Sequence, residues 1–211
     1  MSLQRVVNLV ETLILSSALG PSPKFDESHI IKLFMSLLKE GAIGRIKLSK
    51  ILSLGEGSTR TLISKMRKLG LIEETKRGCS LTSLGKEIAD ILTSKIPLTC
   101  EVPINDFGIG GKGVGVLIRG APARIDVVKL RDEAVKRGAK ALITLILIDG
   151  KLIMPVLEED VVSKWPKTAR SILETFNPMD GDAVLISIAD DYLSAEKGAL
   201  IAAWNLAFKW T

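Results

Sequence analysis

Cationic and short polar side chains are concentrated in one part of the chain, residues 45–78. This window holds nine Lys and Arg residues against three Asp and Glu residues, a net charge of +6. Lysine and arginine bind phosphate oxygens, and serine and threonine hydroxyls allow the close approach that such contacts require. The residues after 97 carry a net charge of −1. The chemistry that this distribution favours is the binding of a polyanion by the first half of the chain.

A helix predicted at about 58–69 organises these cationic side chains. Leu62, Met66 and Leu69 share one face of this helix with Ile63 beside them, so that face should pack in a core. The other face is polar and cationic, as a helix in a major groove requires. The candidate DNA-binding residues on this helix and on the hairpin after it are Ser58, Thr59, Arg60, Thr61, Ser64, Lys65, Arg67, Lys68, Lys76 and Arg77.

Periodicity and turn residues predict the elements that position this helix. In chain order they are helices at 3–18, 26–41, 47–53, 58–69 and 83–95, with a hairpin at 71–82 between the last two. The sequence "LGEG" at 54–57 is a tight turn, and Lys76-Arg77-Gly78 forms the hairpin tip. A helix, a glycine-containing turn, a second helix and a hairpin predict a helix-turn-helix with a wing that touches backbone phosphates.

The stretch "KLSKILSLGEGSTRTLISKMRKLGLIEETKRGCSLTSLGKEI" resembles the winged helix of bacterial and archaeal transcription regulators, over about residues 25–95. The second half contains "LRDEAVKRGAKALITLILIDGKLIMP" and "GDAVLISIADDYLSAEKGALIAAW", and is similar to an archaeal domain of unknown function found behind such winged helices. The first resemblance implies DNA binding, and the second implies no activity. We therefore expect a winged-helix domain with an extra N-terminal helix at 1–97 and an α/β domain at 98–211.

The second domain is predicted to have the chain order βαββαβ followed by a C-terminal helix. The predicted strands are 113–119, 141–148, 151–156 and 183–189, and the helices are 126–137, 166–176 and 192–208. This is the ferredoxin-like order, so the expected fold class is α+β, with an antiparallel sheet and its first two helices on one face. At the level of fold, the arrangement resembles feast/famine regulators, which pair a DNA-binding head with a ligand domain.

A glycine-rich segment, "FGIGGKGVGVLIRG" at 107–120, has two interpretations. It lacks a phosphate-binding signature, because Lys112 is followed by Gly113 instead of Ser or Thr, and because its glycines precede a strand. It is either an interdomain linker or a loop that contacts an anionic effector. The candidate ligand-binding residues are Gly110, Gly111, Lys112, Gly113, Arg119 and Arg131.

Residue counts argue against several other classes of site. With one histidine, His29, and two cysteines, Cys79 and Cys100, the sequence predicts no metal site and no cofactor. Cys79 is a redox sensor or an incidental wing residue. Aspartates that either ring a cation or serve as turn and cap residues are Asp180, Asp182, Asp190 and Asp191. There is no signal peptide or long apolar run, so we expect no membrane partner and a cytoplasmic protein.

The function predicted from these features is that of a sequence-specific, double-stranded DNA-binding transcription regulator with a C-terminal ligand-sensing or dimerisation domain. We expect no enzymatic activity, because no nucleophile and base are suitably spaced. Two alternatives remain: an enzyme acting on a phosphorylated small molecule, and an RNA- or protein-binding adaptor. We expect a homodimer, formed by the second domain or by a stripe on the first helix that otherwise packs within its own domain. The stripe comprises Leu3, Val7, Val10 and Ile14.

Overall fold

The chain divides into two compact units, residues 1–93 and 94–211. The computed structural model describes residues 2–15, 24–155, 157 and 159–210. The boundary between the units lies in the last turn of α5 (Ser83–Lys95), a few residues before the predicted boundary at 97. Within the described residues, no helix has the length and apolar character needed to cross a membrane.

The first unit contains five helices and one hairpin in its described part. The elements are α1 (Leu3–Ile14), α2 (Glu27–Glu40), α3 (Arg45–Leu52), α4 (Glu56–Lys68), β1 (Ile72–Thr75), β2 (Gly78–Leu81) and α5. The predicted element order is confirmed. α1 ends at Ile14, and the predicted positions 16–18 lie outside the described residues. α4 begins at Glu56, about two residues before the predicted start, because the last two residues of "LGEG" belong to the helix and not to the turn.

The hairpin of the first unit is extended by a third, single-residue pairing. Ile72 lies opposite Leu81, and the backbone amides of Ile43 and Cys79 each donate to the other residue's carbonyl oxygen at 2.9 Å. Gly78 permits this approach, because a β-carbon at that position would lie 2.4 Å from the carbonyl carbon of Ile43. The hairpin is therefore anchored to the segment that immediately precedes α3.

The apolar stripe of α1 is buried within its own unit. The fully or almost fully buried residues of this helix are Val6, Val7, Val10 and Leu13, and the helix packs on α2 and α4. Leu3 and Ile14 are only half-buried, so the stripe is centred one position away from the predicted one. Of the two roles considered for α1, packing within its own domain is the one that the geometry favours.

In the second unit, strands and helices alternate along much of the chain. Its elements are β3 (Leu98–Val102), β4 (Lys112–Ile118), α6 (Val127–Val135), β5 (Ala141–Ile148), β6 (Lys151–Met154), β7 (Glu159–Asp160), α7 (Val161–Lys164), α8 (Pro166–Phe176), β8 (Ala183–Ala189) and α9 (Tyr192–Trp204). The four predicted strands are present, although β6 ends at Met154. The structure adds β3, β7 and α7, which we did not predict.

The antiparallel sheet of this unit has the strand order β3-β4-β8-β5-β6-β7. The ferredoxin-like prediction is wrong in this respect. In a ferredoxin-like sheet the first and third strands of the βαββαβ repeat are central, whereas here the fourth and second strands, β8 and β5, are central. Each of the two crossovers, β4-α6-β5 and β6-α8-β8, still passes over one intervening strand, so the chain order alone did not distinguish the two arrangements.

The helices α6 and α8 lie on opposite faces of the sheet, which corrects the expectation that they share one face. Ile172 and Phe176 of α8 join the core cluster that contains Val184 and Ile186 of β8. α6 and α9 pack together on the other face, where the position of a Gly198 β-carbon lies 2.6 Å from Oγ of Ser187. All seven residues of β8 are buried, because both of its faces are covered.

Candidate nucleic-acid interface

The α4 helix separates a buried apolar face from an exposed polar face. Thr59, Leu62, Ile63 and Met66 are buried. The exposed face comprises Arg60, Thr61 and Lys68, with Ser64 half-exposed and Ser58 half-buried at its edge. The prediction for Thr59 is wrong, because this residue is completely buried and its hydroxyl donates to the carbonyl oxygen of Gly55 at 3.1 Å.

Lys65 is bound within the first unit and is not part of the exposed face, which corrects its predicted role. Its ammonium group donates to the carbonyl oxygens of Leu13 at 2.8 Å and Leu15 at 2.6 Å. These carbonyl groups lie at the end of α1, where backbone oxygens lack helical partners and a positive charge is favourable. Lys65 also lies 5.7 Å from the ring centroid of Phe25. It therefore joins α1 to α4.

Arg67 lies on the other flank of α4, where its guanidinium donates to the carboxylate of Glu74 on β1 at 3.1 Å. Both side chains are more than half exposed. An exposed pair of this kind contributes at most about 1 kcal/mol, so a phosphate can compete with Glu74 for the arginine. Arg67 therefore remains a candidate for phosphate contact, in addition to orienting the hairpin relative to α4.

The cationic surface that remains consists of Arg60 and Lys68 on α4 and Lys76 and Arg77 at the hairpin tip. All four side chains are exposed, and none forms an ion pair with the residues that the structure describes. At the tip, the Thr75 hydroxyl donates to the carbonyl oxygen of Gly78 at 2.8 Å and accepts from the Arg77 amide at 3.2 Å. We call these four residues the cationic surface.

The single cysteine of the hairpin, Cys79, is buried beneath this region. Burial and the nearby carboxylate of Glu74 raise the pKa of its thiol, against smaller opposing effects of Arg67 and Arg45. The thiolate is the reactive form of cysteine, so these effects make Cys79 less reactive than an exposed thiol. The geometry therefore favours a packing role over redox sensing.

The predicted anion site in the second unit is not assembled. Lys112 and Arg119 lie at opposite ends of β4, about 23 Å apart along an extended strand. Arg119 is bound internally, because its guanidinium pairs with the buried carboxylate of Asp182. The ammonium group of Lys112 lies 5.3 Å from the ring centroid of Tyr192. Arg131 pairs with the adjacent Asp132 on the exposed surface of α6.

Three of the six glycines in the segment 107–120 lie where a side chain would clash with neighbouring atoms, and so have packing roles. A β-carbon on Gly113 would lie 2.3 Å from Cγ2 of Ile104, and one on Gly115 would lie 2.5 Å from Cζ of Phe176. Gly111 has φ of +142°, and its β-carbon would meet the carbonyl oxygen of Ala189 at 2.4 Å. Gly110 has open space around it. The segment is thus part of the second unit's sheet, which also corrects the interpretation as an interdomain linker.

Three of the other polar candidates, His29, Asp190 and Asp191, have structural partners. His29 and Asp26 form a capping box at the start of α2. Asp191 caps α9 by accepting from the Ser194 amide at 2.9 Å, and Asp190 pairs with Lys140. Among the described residues there is no group of three His, Cys, Asp or Glu side chains placed to hold a metal ion.

A cleft in the second unit contains residues that sequence reasoning missed. It has a volume of about 440 Å³ and is lined by Pro122, Arg124, Ile125, Asp126, Val127, Lys129, Leu206 and Trp210. About 80 residues separate Lys129 from Trp210 in the chain, so no local spacing pattern connects them. The aromatic residue near the C-terminus was the only available signal.

These features define a two-unit α+β chain in which a helical, hairpin-containing unit precedes an antiparallel sheet covered on both faces. Residues 27–87 match the family model described as "PH0730-like, N-terminal domain", and residues 109–206 match "Domain of unknown function (DUF4443)". The solved structure of "Hypothetical protein PH0730 from Pyrococcus horikoshii OT3" is 31% identical, with a TM-score of 0.71. That match covers 87% of this chain and 93% of the other. The chain belongs to the PH0730-like family. No curated protein matches it.

Proposed function

We propose that the chain is a sequence-specific, double-stranded DNA-binding transcription regulator. In this proposal the first unit is a winged helix, in which α3 and α4 form the helix-turn-helix, α4 is the recognition helix, and the β1–β2 hairpin is the wing. The observation that carries the proposal is the cationic surface: Arg60 and Lys68 on the exposed face of α4, with Lys76 and Arg77 at the hairpin tip. Recognition helices and wings use such residues to contact bases and phosphates.

The roles of the candidate residues differ in this proposal. Arg60 is placed on the middle of the exposed face, among the small side chains of Thr61 and Ser64, and is the residue that reads a base edge. Lys76 and Arg77 contact phosphates, and so contribute affinity without sequence preference. Arg67 exchanges Glu74 for a phosphate on binding. No catalytic residue is assigned, and the regulator acts in the cytoplasm.

The regulator is a homodimer in this proposal, because proteins of this kind read paired half-sites. The stripe of α1 is buried within its own unit, so the second unit must supply the interface. Val128 and Val135 of α6 are 57% and 44% exposed and lie seven residues apart, on one side of the helix. Sedimentation should give a dimer mass, and a monomer mass independent of concentration would contradict this part of the proposal.

Selection of duplexes from a random DNA pool tests the function directly. The purified chain should enrich a common sequence after several rounds, and Arg60→Ala should lose that enrichment while it retains weak binding. The RNA- or protein-binding alternative predicts instead that duplex DNA is not enriched and that single-stranded RNA competes effectively. Failure of wild-type protein to enrich any duplex would contradict the proposal.

A further inference from the structure

The cleft of about 440 Å³ in the second unit has the size of a small-molecule site. One wall is the segment that leads into α6 together with the first turn of that helix, and the other wall is formed by residues that follow α9. Pro122, Ile125 and Val127 line the cleft and are half-buried, so the interior of the cleft offers apolar surface. The cleft is therefore more than a gap between polar surface side chains.

An aromatic ring with a cation over it forms one side of the cleft. The ammonium group of Lys129 lies 4.2 Å from the ring centroid of Trp210, a close cation–π contact. The indole is half-buried and so presents a flat apolar surface whose position is restricted. The ammonium group covers one face of the ring, so a planar ligand can contact the ring at its edge or on its other face, and the ammonium group is available to an anionic substituent of the same ligand.

The charge of the cleft favours an anion. Arg124 is exposed and forms no ion pair within the described residues, so the lining carries two cations, Arg124 and Lys129. The one acidic lining residue, Asp126, is committed to the backbone: its carboxylate accepts from the Lys129 amide at 3.0 Å and caps α6. The carboxylate keeps its negative charge, so the two cations and Asp126 together give the lining a net charge of +1.

We propose that this cleft binds a small planar molecule that carries one carboxylate or phosphate group. Trp210 and the apolar interior contact the ring, and Arg124 and Lys129 contact the anionic group. This site differs from the one predicted around Lys112, whose members the structure separates. The proposal does not depend on DNA binding by the first unit.

Calorimetric titration of the full chain tests the site with two anionic probes, indole-3-carboxylate and AMP, and their neutral counterparts, indole and adenosine. At least one anionic probe should bind about tenfold or more tightly than its neutral counterpart. Preference for indole-3-carboxylate indicates an aromatic acid, and preference for AMP indicates a nucleotide. If neither anion binds at millimolar concentration, or if the neutral compounds bind equally well, the proposal is wrong.

Variants locate the binding. Arg124→Ala and Lys129→Ala should each weaken the anionic probe about tenfold, and Trp210→Leu should weaken both the anionic and the neutral compound. Arg131→Ala is the matched control, because it removes one exposed cation from the same helix outside the cleft, and it should leave binding unchanged. Melting curves confirm that each variant is folded. Equal affinity of wild type, Arg124→Ala and Trp210→Leu would place the binding elsewhere and overturn the proposal.

Discussion

The ammonium group of Lys65 on α4 donates to the carbonyl oxygen of Leu13 on α1, 2.8 Å away. Arg67 lies two residues further on, on the other flank of α4, where its guanidinium donates to the carboxylate of Glu74. The helix is thus tied to its own unit on both flanks, by Lys65 to backbone oxygens and by Arg67 through an exposed ion pair that a phosphate can replace, and the face between the flanks is available to a ligand. This division separates cations that stabilise the fold from cations that we propose bind DNA.

Substitution of Lys65 should therefore affect stability, whereas substitution of Lys68 should affect DNA binding. Lys65→Met removes a charged donor from two carbonyl oxygens at the end of α1, and should lower the free energy of unfolding by about 1 kcal/mol. Lys68→Met, on the exposed face, should leave stability within about 0.5 kcal/mol and weaken DNA binding. Thermal melts and binding assays of both variants measure this. A stable Lys65→Met protein with reduced DNA affinity would show that Lys65 faces the nucleic acid instead.

The buried carboxylate of Asp182 should be essential to the second unit. It pairs with Arg119 and accepts from the amides of Gly120 at 2.9 Å and Met179 at 2.7 Å. Asp182→Asn removes the negative charge and replaces one accepting oxygen by an NH2 group, which faces the donors that the carboxylate binds. The free energy of unfolding, measured in denaturant, should fall by about 2–4 kcal/mol.

Asp190→Asn provides the control for this change, because Asp190 is 81% exposed and its ion pair with Lys140 is solvated. That variant should unfold within about 0.5 kcal/mol of wild type. Similar stability of the two variants would mean that Asp182 does not stabilise the turn between Asn177 and Ala183. Arg119 would then again be a candidate ligand-binding residue.

The glycine of β4 nearest to α8 should not tolerate a side chain. Gly115→Ala would place a β-carbon 2.5 Å from Phe176, and overpacking of this kind costs about 1–3 kcal/mol. Gly110→Ala meets no atom within 4 Å and requires no positive φ, so it should be neutral or stabilise by up to about 1 kcal/mol. Chemical denaturation of both variants distinguishes packing from flexibility. Equally small changes in the free energy of unfolding for the two variants would favour the interpretation of the segment 107–120 as a linker.

Local patterns predicted the elements of this chain better than their arrangement. The Asp26 cap, the α4 stripe and the hairpin tip each depend on residues close in sequence, and each is present. The last predicted member of the stripe, Leu69, is wrong, because it follows the end of α4 and is 37% exposed. The strand order was missed because it depends on contacts between distant strands. One signal was nevertheless available: the near-continuous apolar runs of β5 and β8 are typical of strands covered on both faces, although they do not indicate which helix covers which face.

The candidate site was predictable in part, for the same reason. The helical period identified the exposed positions of Arg60 and Lys68 correctly. Lys65 was placed among them because it lies near the edge of the polar face, where tertiary partners decide. Thr59 lies on the same side of the helix as Leu62, Ile63 and Met66, so the helical period itself argues against an exposed role for it. The carbonyl groups of Leu13 and Leu15 bind Lys65 from about 50 residues away, and the partner of Arg119 is about 60 residues away. No local spacing indicates such partners.

The hairpin tip should supply affinity for DNA without sequence preference. Lys76→Ala combined with Arg77→Ala should weaken selected and unrelated duplexes by the same factor, and should reduce the slope of log affinity against log salt by about 2. Electrophoretic mobility assays on both duplexes at several salt concentrations measure this. Loss of affinity for the selected duplex alone would show that the tip reads sequence.

The most direct measurement of the central claim is the affinity of the full chain for a labelled duplex, followed by fluorescence anisotropy as salt rises. If Arg67, Lys68, Lys76 and Arg77 each neutralise one phosphate, log affinity should fall with log salt at a slope of about −3.6 per protomer. Arg60→Ala should cost about 1–3 kcal/mol on a selected duplex, whereas Arg170→Ala, which removes an exposed cation from α8, should cost nothing. An affinity that does not change with salt, or an equal loss in Arg60→Ala and Arg170→Ala, would contradict DNA recognition by α4.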